Sequence, residues 1–277
     1  MRLVEKFVEL SEREVEIPLP YGKFHLLFFL AIVLVTLLIC SAFKNASDRT
    51  FRIIIGSIFV LMLLAEISKQ LMLNFSRPEG VIIFEFAWYA FPFQLCSMPL
   101  YILPFLSLLS DCRLRDLAAS FTMTFALVGG IAVYLVPASV FCICPALNVH
   151  TMVHHGLQII SGVYTATYYR RRITKRFFVD GTFVFTLVFV MAHLLNTVGY
   201  DAFVAMGWMA EGTEFNMFHI SPRAEQPIPV LSTFLRSINP IWILLGYYVI
   251  VILFALIVAH STRYFFTLSR RKRYVKR

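Results

Sequence analysis

The sequence predicts an all-α fold: a polytopic membrane protein built as a seven-transmembrane helix bundle, with its amino terminus outside, its carboxy terminus inside and a short amino-terminal interfacial helix. Composition, the length of the apolar runs and the placement of basic residues carry this prediction. The 277 residues are 59% hydrophobic and only 15% charged, whereas soluble domains carry roughly 25% charged residues. This composition indicates a multi-pass membrane protein with one transmembrane domain.

Seven apolar runs are each close to the roughly 20 residues that cross the hydrocarbon core as a helix. They cover about 24–43, 53–74, 88–109, 117–140, 151–169, 178–200 and 238–262. Residues 1–22 mix apolar residues with glutamates and lie before the first run, which is typical of an interfacial helix. We therefore expect a transmembrane domain over 23–269, followed by a basic cytoplasmic tail over 270–277.

The basic residues are concentrated in alternate connections between the runs. Cytoplasmic loops carry an excess of lysine and arginine, so these connections are assigned to the inside. They hold Lys44, Arg49, Arg52, Arg113, Arg115, Arg170, Arg171, Arg172, Lys175, Arg176, Arg263, Arg270, Arg271, Lys272, Arg273, Lys276 and Arg277. Because the basic groups adjoin helix ends, we expect membrane lipids as partners, no nucleic acid, and a cell-membrane location. The oligomeric state is left open.

Two segments depart from a simple series of spans. Pro92, Pro99 and Pro104 predict a kinked or broken third helix, which is tolerated where protein or water satisfies the backbone. Residues 201–237 form a long outer loop rich in aromatic residues and methionine, which we expect to fold over the outer mouth of the bundle.

Polar residues inside the runs fall in one layer under this topology. The layer contains Glu66, Lys69 and Gln70, then Gln94 and Cys96, then His154 and His155, and finally His193 and Asn196. Each lies roughly 5–12 Å to the outer side of the midplane. Because polar groups inside a membrane are costly and usually functional, we predict a shared outward-facing pocket, to which Tyr200 and Asn216 also belong.

Each of these groups also has a structural interpretation. Glu66 and Lys69, three residues apart, form an ion pair that would fix helix packing. His193 and Asn196 would cross-link helices by hydrogen bonds. Cys96 would pack as a small apolar residue. The two histidines of the fifth run would face water at the membrane interface.

A functional interpretation combines a thiol with an imidazole. Cys96 with His154 or His155 is the minimum for covalent acyl chemistry, in which the thiolate attacks a lipid ester. Candidate donors to the developing oxyanion are Gln94, Asn196 and Lys69. The alternative is a transporter or lipid-binding protein that uses Glu66, Lys69 and the histidines. The five cysteines have no zinc-site spacing, so we predict neither a metal site nor a cofactor.

The chain resembles the YwaF-type integral membrane proteins of bacteria over about residues 21–262. The resemblance lies in FPFQLCSMPLYILP, YGKFHLL, the HH pair of the fifth run, and HLLNTVGYDAF followed by FNMFHISP. That family is similar to a eukaryotic transmembrane family proposed to be cysteine-dependent phospholipid acyltransferases. The resemblance implies that Cys96 carries the acyl group and that His154 or His155 is its partner. The family's Asn-Tyr-Met tract reads Asn216-Met217-Phe218 here.

Overall fold

The computed structural model describes residues 2–224 and 239–274, and these ranges are mostly helical. We number eight α-helices in them. They are α1 (Arg2–Ser11), α2 (Lys23–Ala42), α3 (Asp48–Asn74), α4 (Pro99–Leu108), α5 (Arg113–Leu135), α6 (Pro145–Tyr169), α7 (Arg176–Ala205) and α8 (Pro240–Tyr274). Helices α5 and α7 each contain one π-helical turn, at Thr122–Ala126 and Leu195–Gly199.

Five of these helices are long and apolar enough to cross a membrane: α2, α3, α5, α7 and α8. Helix α4 and the turn before it form a shorter apolar helix over Leu95–Leu108. Helix α6 has 25 residues, but histidine, glutamine, serine and threonine make it more polar than the other long helices. The multi-pass helical fold is therefore supported, while the count of seven spans and the orientation stay predictions.

Helix α6 lies at the centre of the bundle. It packs against α2, α3 and α5, and most of its residues are buried. Glycines allow these close approaches: a Cβ on Gly162 would lie 2.9 Å from the Cβ of Leu127, and one on Gly156 would clash with the side chain of Ile32. The most polar long helix is thus surrounded by apolar ones, so its polar side chains face protein rather than lipid.

The predicted break in the third apolar run is present. Two short antiparallel strands, β1 (Phe75–Ser76) and β2 (Ile83–Phe84), follow α3, with Phe75 paired to Phe84. Two 3-10 turns come next, at Trp88–Ala90 and Leu95–Ser97, before Pro99 begins α4. Because proline lacks an N–H, it fits the first turn of a helix, and Pro99 directly follows the turn that carries Cys96.

Ion pairs join the helices at the predicted inner end of the bundle. Arg115 on α5 is 2% exposed and donates to Asp48 at the start of α3, at 2.6 Å. Arg113 on α5 pairs with Asp180 on α7 through both guanidinium nitrogens. Each guanidinium has an acidic partner, although the buried Arg115 Nε has no hydrogen-bond partner among the described residues, and we assign both ion pairs to the scaffold.

The ends of the chain only partly follow the predicted segments. Helix α1 packs on α3, and its Val8 is fully buried. The predicted tail over 270–277 begins inside α8, which continues to Tyr274, and residues 275–277 lie outside the described ranges. The predicted loop over 201–237 begins too early, because residues 201–205 belong to α7. Its residues 225–237 also lie outside the described ranges.

Candidate functional site

Four polar side chains lie near the carboxy-terminal end of α3. Lys69 Nζ lies 2.8 Å from Glu66 Oε1, and Gln70 Nε2 donates to the same oxygen at 2.8 Å. Gln70 also donates to the Ala90 carbonyl at 2.9 Å, and Asn74 Nδ2 donates to Gln70 Oε1 at 2.9 Å. Glu66 is buried, so its charge is held by the Lys69 ammonium and the Gln70 amide.

Cys96 lies on the 3-10 turn before α4, half-buried and with a free thiol. His154 on α6 bonds the Cys96 carbonyl through Nε2, at 3.1 Å. Because a carbonyl only accepts hydrogen bonds, Nε2 carries the proton and Nδ1 carries the lone pair. Nδ1 is buried and has no hydrogen-bond partner within the described residues.

The neighbouring His155 has the opposite arrangement. Its Nδ1 lies 2.7 Å from the Thr151 carbonyl one turn earlier in α6, so Nδ1 donates and Nε2 carries the lone pair. Both histidines are buried, and their ring centroids are 5.6 Å apart. One imidazole therefore bonds the Cys96 backbone, while the Nε2 of the other forms no hydrogen bond to a described residue.

His150 joins this group, although the sequence analysis missed it. One ligand atom from each of Glu66, His150 and His154 lies within 4.8 Å of the other two. His150 Nε2 is buried and has no hydrogen-bond partner among the described residues. His150 precedes the predicted fifth span by one residue, but its spacing of four from His154 puts both on one helix face.

Gln158 is the second residue that sequence reasoning missed. It is fully buried on α6, one turn after His154, and neither atom of its amide has a partner in the described part of the chain. A Cβ on Gly129 of α5 would lie 2.9 Å from Gln158 Nε2 and 3.7 Å from the Cys96 Cα. The glycine therefore lets an unpartnered amide approach the Cys96 turn.

Other predicted pocket residues bond the loop that follows α7 instead. Asn196 Nδ2 donates to the Met217 carbonyl at 2.8 Å, and Asn196 Oδ1 accepts from the Met217 N–H at 2.7 Å. Asn216 Oδ1 accepts from the Ser221 N–H at 2.9 Å. We call Asn196, Asn216, Met217 and Ser221 the loop cluster. Gln94 Nε2 donates to the Asn216 carbonyl at 2.7 Å and so links the loop cluster to the segment that carries Cys96.

Tyr200 also belongs to the loop cluster. Its hydroxyl accepts from the Gly212 N–H at 2.8 Å, and the Arg223 guanidinium lies over its ring at 4.7 Å. His193, one turn before Asn196, has a buried Nδ1 with no partner among the residues described. The predicted layer therefore separates into two parts.

The part around Cys96 joins a carboxylate, an ammonium, three imidazoles, an amide and a thiol from α3, α6 and the broken segment. Glu66 and Lys69 both lie within electrostatic range of the Cys96 thiol. A thiol beside imidazoles and unpartnered donors has the parts for nucleophilic acyl transfer. The same imidazoles and carboxylate also have the parts for holding a cation.

A model of the TMEM164 family matches residues 20–260, a range that includes both parts of the layer. No curated protein and no solved structure matches the chain. The resemblance to YwaF-type proteins stays a prediction.

Proposed function

Because the chain belongs to the TMEM164 family, a family of transmembrane proteins, we propose that it is a lipid acyltransferase or acyl hydrolase with Cys96 as nucleophile. The observation that carries this proposal is that the free cysteine Cys96 lies on a turn whose carbonyl bonds His154, a buried histidine whose Nδ1 has no partner in the described residues. Buried polar groups are almost always hydrogen-bonded, so unpartnered ones beside a thiol are suited to a ligand.

His155 is the proton acceptor in this mechanism. Its Nδ1–H is held by the Thr151 carbonyl, which leaves the Nε2 lone pair free. Catalytic imidazoles of acyl-transfer enzymes are oriented in the same way, with one nitrogen anchored and the other acting as base. His154 uses its Nε2 proton on the Cys96 carbonyl and is therefore a positioning residue.

Gln158 is the best donor to the oxyanion. Its Nε2 has no partner among the described residues, and a Cβ on Gly129 would contact both this nitrogen and the Cys96 Cα. The donors expected from the sequence are engaged elsewhere, because Gln94 donates to the Asn216 carbonyl and Lys69 pairs with Glu66. A preorganised donor of this kind stabilises charge that develops during the reaction.

The reaction balances without a cofactor. His155 takes the thiol proton, the Cys96 sulfur attacks the carbonyl carbon of a lipid ester, and Gln158 donates to the oxyanion. The ester C–O bond then breaks, and the leaving alkoxide takes the proton from His155. A lysolipid departs and the acyl group stays on Cys96 as a thioester. An acceptor hydroxyl then attacks with His155 as base, which restores the thiol.

Labelling with a phospholipid tests this proposal. The purified protein is incubated with phospholipid carrying a labelled acyl chain, and bound label is measured before and after hydroxylamine. We expect hydroxylamine-sensitive label on the wild type and none on Cys96→Ala, because only a thioester at that sulfur explains both results. Cys40→Ala is the matched control, since Cys40 is also a free, half-buried cysteine.

The absence of label on the wild type, with Cys96→Ala folded normally, would overturn the enzyme proposal. Cys96→Ser gives a second check, because an oxygen ester on serine would resist hydroxylamine. Equal labelling of the wild type and Cys96→Ala would place the acyl group on another residue and would also overturn the assignment.

Transport is the second candidate, and the polar face of α6 favours it. Five buried or half-buried polar residues follow spacings of four, four, three and four along this face: His150, His154, Gln158, Ser161 and Thr165. They span roughly 22 Å of helix. A row of polar groups inside a bundle is typical of ion and proton pathways. Loss of uptake in Glu66→Gln but not in Cys96→Ala would favour transport.

A further inference from the structure

Three potential metal ligands converge between α3 and α6. One atom from each of Glu66, His150 and His154 lies within 4.8 Å of the other two. Ligands roughly 2.0–2.2 Å from a zinc ion lie about 3.3–3.6 Å apart in a tetrahedral site. Side-chain rotations that shift these atoms by about 1 Å therefore bring them to coordinating distance.

The bonding of His154 matches that of a metal ligand. Its Nε2–H donates to the Cys96 carbonyl at 3.1 Å, which fixes the tautomer and leaves the lone pair on Nδ1. Metal-bound histidines almost always donate their other ring N–H to a carbonyl, carboxylate or water. The His154 side chain is 2% exposed, and Nδ1 has no partner in the described residues.

His150 supplies a second imidazole from the same face of α6. Its Nε2 is buried and unpartnered among the described residues, and its ring centroid lies 5.4 Å from that of His154. Two histidines four residues apart on a helix place two nitrogens on one metal ion, as in helical zinc sites.

Glu66 completes the set from α3. Its Oε1 accepts from Gln70 and pairs with Lys69, both at 2.8 Å, whereas its Oε2 makes no hydrogen bond to a described residue. Ligating carboxylates are commonly held by such outer hydrogen bonds. The bonds on Oε1 orient the carboxylate while Oε2 stays available.

From this convergence we propose that Glu66, His150 and His154 bind a divalent transition-metal ion, with zinc the ion that suits the donors. Two imidazoles and one carboxylate are the protein ligands of zinc sites that keep a fourth position open. The sequence analysis predicted no metal site, because the ligands come from helices that the chain separates by more than 80 residues. The proposal goes beyond acyl transfer and does not depend on the Cys96 thiol.

The Lys69 ammonium would repel a metal ion bound at Glu66, and removing this charge tests the proposed site. The ammonium pairs with Glu66 Oε1, so it opposes the arrival of a second cation at the same carboxylate. Lys69→Met removes this repulsion and leaves the three ligands in place. Metal binding therefore becomes tighter in Lys69→Met, whereas loss of a structural ion pair alone would not tighten it.

Zinc and cobalt binding to the purified protein test the site. The full chain is stripped with a chelator, and zinc affinity is measured by competition with a chromophoric chelator. Cobalt(II), added separately, reports coordination through its visible spectrum. We expect one zinc ion per chain, binding at least about tenfold weaker in His150→Ala and Glu66→Gln, and tighter binding in Lys69→Met.

His193→Ala is the matched control, because His193 also has a buried, unpartnered nitrogen but lies outside the cluster. It must bind zinc like the wild type. Cys96→Ala must also keep the metal, which separates this site from the proposed acyl chemistry. No zinc bound by the wild type, or equal binding in wild type, His150→Ala and Glu66→Gln, would overturn the proposal even if one variant folded poorly.

Discussion

Two neighbouring parts of the predicted polar layer differ in how their buried amides are used. In the loop cluster, Asn196 bonds the Met217 backbone through both atoms of its amide. In the centre of the bundle, Gln158 is equally buried, yet neither amide atom has a partner among the described residues. The difference teaches that burial of a polar side chain does not by itself mark a site, whereas a buried amide without a partner next to other functional groups is a candidate for ligand contact.

The backbone of the loop cluster supports its structural role. Phe218 and His219 follow the bonded Met217 and both have φ of 56°, a left-handed conformation that non-glycine residues rarely adopt. Such a backbone persists only where the surroundings over-determine it. The Asn196 amide and the Gln94 bond to Asn216 supply that constraint, so this part of the layer is a clamp on the loop that follows α7.

The largest expected effect is on catalysis, in Gln158→Leu. Removing the proposed oxyanion donor lowers the rate of acyl transfer by about 10²–10³-fold. The free energy of unfolding stays equal or rises, because the lost amide leaves no partner unsatisfied. Transfer rates and thermal unfolding of the same preparations check both parts. Normal transfer by a folded Gln158→Leu would contradict the assigned role.

The next effect is on stability, in Asn196→Leu. This change leaves the buried N–H of Met217 without its partner and removes one of the two donors to the Met217 carbonyl, which keeps its bond from the Ile220 N–H. The expected cost is about 1–3 kcal/mol. Thermal unfolding in detergent measures the loss, and limited proteolysis reports opening of the loop that follows α7. If Asn196→Leu were as stable as Gln158→Leu, the contrast between the clamp and the open amide would be wrong.

The sequence predicts the helical frame better than the site. Apolar run length locates α2, α3, α5, α7 and α8, and the prolines predict the break before α4. Depth in the membrane places Glu66, Cys96 and His154 in one layer, which the structure brings together. Depth alone does not separate Asn196 from that group. Asn196 bonds a loop, and the position of a loop cannot be predicted from helical periodicity.

There are physical reasons why the sequence did not predict His150 and Gln158 as site residues. His150 lies just outside the apolar run that defines the fifth span, so hydropathy excludes it, although its spacing from His154 is the signal that would have found it. Gln158 lies on the same face one turn later. Its approach to Cys96 depends on Gly129 of α5, and such a contact between helices is set by packing that residue spacing does not contain.

A smaller effect is expected from Gly129→Ala, which perturbs the open amide without removing it. The new Cβ would lie 2.9 Å from Gln158 Nε2, so the amide must move away from residue 129 and leave its present position. We expect acyl transfer to fall by about tenfold, equivalent to about 1.4 kcal/mol, with stability little changed. A rate equal to that of the wild type would show that the amide position does not matter.

The smallest effect is expected from a pair of identical changes, Thr165→Val and Thr186→Val. The buried Thr165 hydroxyl has no partner among the described residues, so its loss leaves the free energy of unfolding within about 0.5 kcal/mol of the wild type. The Thr186 hydroxyl lies 2.7 Å from that of Tyr248, so the same change there costs about 1 kcal/mol. Thermal unfolding of both variants measures this difference, and equal losses would contradict it. A fall in proton flux confined to Thr165→Val would instead connect the unpartnered face of α6 to transport.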